Sequence, residues 1–247
     1  MDLTSALERI RSEIEAGEAA RAVARCKELL AIHPKWATVH CLLGQALMGL
    51  GDFPAAEEAF RLALAVDPED VVANAGLGAV SQERNDLGAA RFFYQLAWEL
   101  APDNQPLART LARTLGSRDG RQGRIGLTTP GLARVYLRGA LYARAADESE
   151  RALAAEPGRL DLLVLEAEAL WRAGERSKAA VVAESILARF PNCLKALLIL
   201  GAHWDQTYDS EAGERLLSLA RGLDPLGQAA EALGIQLDSR TDVPGAK

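Results

Sequence analysis

A chain of 247 residues with 49% hydrophobic but only 5% aromatic content must build its core from Ala and Leu rather than around a large aromatic centre. Its net charge of −6 and pI near 5.3 argue against binding of nucleic acid or a membrane surface by the chain as a whole. The charged start MDLTSALERIRSE, the lack of a long apolar run, and three cysteines without a CxxC pair lead to the expectation of a cytoplasmic protein. A signal peptide, a membrane span and a disulfide framework are not expected.

Proline sets the period. Pro34, Pro68, Pro102, Pro157, Pro191 and Pro225 recur at intervals of 34, 34, 55, 34 and 34 residues, the long interval being one unit plus 21 residues. In the first unit, residues 3–36, Ser5-Ala6-Leu7-Glu8 is expected to open the first helix as a capping box. Gly17 breaks the pair, and Ala22, Cys26 and Leu29 take the inner slots of the second helix. The second unit, 37–70, has His40, Leu43, Gly44 and Leu47 on one helical face, a break at Gly51-Asp52, then Ala56, Phe60 and Ala63, and a stop at Asp67-Pro68. The third, 71–104, repeats this with Asn74, Leu77, Gly78 and Ser81, then Ala90, Tyr94 and Ala97.

The rhythm then breaks. Leu107, Leu111 and Leu115 have helical spacing, so 106–116 reads as a cap or spacer helix, and the Arg- and Gly-rich stretch 117–128 reads as a hinge-like linker. The fourth unit starts late because Pro130 fits only an opening turn, and its Gly139 stands one position early. The fifth carries Glu166 in a leucine slot beside Leu165. The sixth has Leu197, Leu200, Gly201 and Trp204, then Gly213, Leu217 and Ala220. The expected organisation is repeats 1–3 at 3–104, spacer and linker at 105–128, repeats 4–6 at 129–227, a capping helix at 228–237 and a disordered tail at 238–247.

The spacing of the second unit, with the apolar and glycine positions of its first helix followed by A-x3-F and P in 34 residues, resembles the tetratricopeptide repeat family. The resemblance implies an all-α, right-handed solenoid of helix-turn-helix units. One pair cannot bury both its faces, so neighbours stack and share them. It also implies that the first helix of each pair lines a concave side through positions 2, 5, 9, 12 and 13 of the unit, and that the chain is a non-enzymatic adaptor for a peptide or helix of another protein. The partner-facing candidates on that side are Gln45 and Met48 in the first triplet, and Arg134, Arg138, Glu168, Trp171 and Arg172 in the second. Arg and Trp are the residue types enriched at binding hot spots, and Trp171 is expected to be exposed in the groove. The carboxylate clamp used by relatives that hold chaperone tails has no counterpart in either triplet.

Charge is uneven: between residues 105 and 146 there are eight arginines and one acid, Asp119, so the stretch from Arg109 to Arg144 is a candidate docking patch for an acidic partner. Few aromatics accompany it, which disfavours RNA. No P-loop, GxGxxG, GxSxG or HExxH motif is present. His33, His40 and His203 are read as structural, so no cofactor, metal or catalytic residue is expected. Two other readings follow from the same residues: a self-assembling solenoid that stacks through its end faces, and a regulatory subunit of a separate enzyme.

Overall fold

The computed structural model describes residues 2–116, 126–207 and 209–237, and among these it contains fourteen helices and no strand. Three antiparallel pairs come first: α1 (Leu3–Glu15) with α2 (Ala19–Ile32), α3 (Ala37–Gly49) with α4 (Phe53–Val66), and α5 (Val71–Glu83) with α6 (Leu87–Leu100). α7 (Gln105–Gly116) then packs on α6. Three further pairs are α8 (Thr129–Arg138) with α9 (Tyr142–Ala155), α10 (Leu160–Arg172) with α11 (Arg176–Leu187), and α12 (Leu194–Thr207) with α13 (Ser210–Leu223). Short α14 (Gln228–Ala232) closes the series. Most of the expected linker and all of the expected tail lie outside the described residues.

Local chemistry explains why the helices start and stop where they do. Asp52, Asp70, Asp86 and Asp209 each accept a backbone N–H three residues on, which satisfies one of the orphan donors of the helix that follows. The capping box expected at Ser5 is corrected: Asp2 caps α1 through Thr4 and Ser5 N–H groups, and the Ser5 hydroxyl donates to the same carboxylate at 2.6 Å. Within the pairs the chain reverses through a left-handed residue at a fixed register: Gly17, Gly51, Asn85, Ala140 and Gly174, with φ of 75°, 73°, 58°, 56° and 88°. In the fourth unit Gly139 is one place early, at the C-cap, so Ala140 takes the left-handed position at a steric cost glycine avoids.

Packing inside a unit depends on small residues. Phe60 of α4, fully buried, is wedged between Gly44 of α3 and Gly76 of α5. A Cβ at Gly44 would lie 2.6 Å from its ring, and one at Gly76 would be closer still. Tyr94 sits in the same way against Gly78. Trp36 and Trp98 are buried packing residues, and Leu165 fills the apolar slot beside Glu166.

The two triplets are continuous in space. α8 stacks on α6, and Ala37 and Val66 of the first triplet share one apolar cluster with Val164, Leu194 and Leu198 of the second. At the C-terminal end the helix is shorter than the expected 228–237. Gly234, with φ of 66°, turns the chain after Ala232, and Leu233 and Ile235 then bury against the same cluster.

Candidate binding faces

The 34-residue period aligns equivalent positions of α1, α3 and α5, so Arg11, Gln45 and Ala79 form one row and Cys41 and Ala75 part of the next. These rows line an open groove of about 730 Å3, with Met48 and Val72 on its walls and the Phe60 ring beneath. The groove is mostly apolar, with Arg11, Glu15 and Asp70 at its margins. Asp70 caps α5 by accepting from Ala73 N–H at 2.8 Å, and the same oxygen accepts from Cys41 Sγ at 3.6 Å. Burial and the neighbouring Asp70 carboxylate push the Cys41 thiol well up, so it is held as a neutral donor rather than a thiolate nucleophile.

The corresponding face of the second triplet is filled. Arg134 of α8 donates to Asp161 of α10 at 2.8 Å and to Glu69 of the α4–α5 loop at 3.3 Å. Lys195 of α12 reaches the other oxygen of Glu69 at 2.7 Å and Glu168 of α10 at 2.6 Å, and Arg172 pairs with Glu168 at 2.7 Å. On the other side Arg159 bridges Asp161 and Glu99, both at 2.8 Å. The result is a chain of alternating sign, Glu99–Arg159–Asp161–Arg134–Glu69–Lys195–Glu168–Arg172. Burial alone would raise the Asp161 and Glu168 carboxyls and depress the Lys195 amine. The partners outweigh it in each case, keeping both acids below their ordinary range and Lys195 above its own.

This arrangement buries three of the residues expected to face a partner, Arg134, Glu168 and Trp171, and ties Arg172 to the chain itself. Gln45 and Met48 line the open groove of the first triplet. Arg134 is only 4% exposed and Glu168 is buried with it; both are committed to the ionic chain. Trp171 is not exposed as expected: its indole N–H donates to the Leu233 carbonyl at 3.1 Å because the C-terminal segment folds over α10, and Arg172 donates to Ala232 O beside it. Arg138 is exposed and pairs with Asp103 at 3.4 Å. Of the basic 109–144 stretch, Arg118, Arg121 and Arg124 lie outside the described residues. Sequence reading missed Glu69, Glu99, Arg159, Asp161 and Lys195 as one system. The available signal was that Asp161 and Lys195 both stand at position 2 of a unit, where a charge would face the concave side.

Among the described residues no group of three or more His, Cys, Asp or Glu side chains could hold a metal, and no helix is long and apolar enough to cross a membrane. Cys26, Cys41 and Cys193 are buried free thiols. His40, in the repeat's aromatic slot, donates through Nε2 to the Pro34 carbonyl at 2.8 Å, and Asn74, one period on, donates to Pro68 O.

A groove lined by aligned helices on stacked helical pairs defines a helical-repeat interaction module. The family model for the tetratricopeptide repeat matches residues 13–80. A helical pair of the same kind recurs along the rest of the described residues. The chain is similar to cellulose synthase 2 operon protein C of Komagataeibacter xylinus, 30% identical over 209 residues, which are 82% of this chain and 15% of that protein. The chain thus spans about a seventh of the length of that relative. Among solved structures it is similar to a tetratricopeptide repeat protein from Parabacteroides merdae (12% identity, 93% of this chain and 96% of that one, TM-score 0.42). It is also similar to the TPR2AB-domain:pHSP90 complex of yeast Sti1 (14% identity, 93% of each chain, TM-score 0.40).

Proposed function

We propose that this chain is a non-enzymatic adaptor, acting in the cytoplasm, that takes a peptide or helix of a partner protein in the groove of the first triplet. The observation that carries this reading is the contrast between the two faces: the first is an open apolar groove of about 730 Å3, whereas the second is occupied by the chain itself. An amphipathic segment would place apolar side chains between Met48 and Val72, over the Phe60 ring, and its polar groups toward Arg11 and Gln45. Binding then draws on apolar burial at the centre, with the rim supplying orientation.

Site-specific photocrosslinking in the native host tests it. A photoreactive residue at Met48 or Val72 should trap one discrete partner, and one at exposed Leu219 on α13 should not. Met48→Glu should abolish capture. Equal trapping at groove and control positions, or capture that survives Met48→Glu, would remove the groove from the reading.

A second reading, end-to-end self-assembly, has one observation in its favour: Ile32 is 70% exposed on the outer face of the first pair, next to a cleft lined by Ser5, Ala6 and Leu29. Sedimentation that shows concentration-dependent mass, abolished by Ile32→Glu, would support it; a monomer at all concentrations would refute it.

A further inference from the structure

The ionic chain across the second face draws part of its buried negative charge from the first triplet. The second triplet brings four cations (Arg134, Arg159, Arg172 and Lys195) and two buried carboxylates (Asp161 and Glu168) to it, with the exposed Glu156 at its edge 3.6 Å from Arg159, and the first triplet supplies two further largely buried carboxylates, Glu69 and Glu99. Glu69 acts as a ligand would: its two oxygens reach cations on two different repeats, Arg134 on α8 and Lys195 on α12. Three residues earlier Val66 is buried in the apolar cluster with Val164, Leu194 and Leu198. The face also keeps unused donor capacity, since Arg134 Nε is buried without a partner among the described residues.

We infer that the loop 67–70, together with Val66, is an intramolecular occupant of the second triplet's concave face, masking a receptor for acidic segments that carry an apolar residue three places before a carboxylate. In the closed molecule the loop holds the site. In the open molecule a partner segment of the same chemistry takes its place, so the partner's apparent affinity is reduced by the fraction of molecules that are closed. This site lies on a different face from the first-triplet groove, and the two share only Asp70, which stands at the margin of that groove.

The test uses the full chain and a fluorescein-labelled peptide with the loop's own sequence, LAVDPEDV (residues 64–71). Glu69→Gln with Glu99→Gln removes two negative charges from the face and should raise peptide affinity at least ~10-fold over wild type in fluorescence anisotropy. Adding Lys195→Met should abolish the gain, whereas adding Met48→Glu should leave it intact, which separates this face from the groove of the first triplet. A folded double variant that binds no better than wild type overturns the inference, as does a gain lost through Met48→Glu. Hydrogen exchange on the wild type decides the matter even if the double variant does not fold. Millimolar peptide should speed exchange at the amides of residues 67–73 by displacing the loop, and unchanged protection there would overturn the proposal.

Discussion

Replacing Arg134 by Ala probes the point on which the two triplets depend most. Its side chain and those of its partners Asp161 and Glu69 are all at most 10% exposed, and the contacts span 27 and 65 residues of sequence. Removing one member of a buried ion pair costs about 3–5 kcal/mol when the other charge is left uncompensated. Here each carboxylate keeps a second cation: Asp161 retains Arg159 and Glu69 retains Lys195. The loss should therefore fall to about 2–3 kcal/mol, a drop in Tm of about 4–12 °C for a protein of this size. Arg134→Met, which keeps the bulk and removes the charge, should behave like Arg134→Ala if the charge is the source. Arg151→Ala, which breaks an exposed pair with Glu148, should cost no more than about 0.5 kcal/mol. Urea denaturation followed by far-UV circular dichroism compares the three variants. An Arg134→Ala protein as stable as Arg151→Ala would refute the view that this contact holds the triplets together.

Three further outcomes follow from local geometry. Ala140→Gly should stabilise the fold by about 0.5–1 kcal/mol, because relief of a left-handed alanine exceeds the entropy glycine adds to the unfolded chain; a destabilised variant in the same assay would contradict the turn assignment. Gly76→Ala should lose about 1–2 kcal/mol despite alanine's better helix propensity, since the Phe60 ring cannot retreat without meeting Gly44, whereas Gly88→Ala has no such obstacle and should not destabilise. Asp67 is raised from 3.8 to about 6, first by burial and then by Glu69 and Asp70, with Lys195 opposing. The folded state thus binds this proton more tightly than the unfolded chain does. The stability so gained is complete below the unfolded value near 3.8 and lost as pH rises through about 6. Asp67→Asn should flatten that loss, and thermal melts at pH 5 and pH 8 that show the same difference in Tm for variant and wild type would contradict it.

The placement of charged side chains was only half legible in the sequence. Position 9 of the fourth unit and positions 9, 12 and 13 of the fifth put Arg134, Glu168, Trp171 and Arg172 on one face, and the structure has them there. Exposure did not follow from that. A helical period states which side of a helix a residue occupies, but not what lies opposite, and here the opposite surface is the chain's own loop and C-terminal segment. Gln45 and Met48 differ only in that nothing among the described residues covers their face.

What the sequence determined by itself is everything encoded at short range. The proline interval, the left-handed residue at the same register in the first five pairs, and the glycines under Phe60 and Tyr94 specify the paired helices and their stacking, because turns, helix stops and close approaches act within one or two units. Only the tertiary structure decided which concave face stays open. Glu69 meets Arg134 and Lys195 across 65 and 126 residues, and no local rule pairs charges so far apart. That pairing depends on the accumulated curvature of the whole stack, a sum of small rotations that no single repeat records.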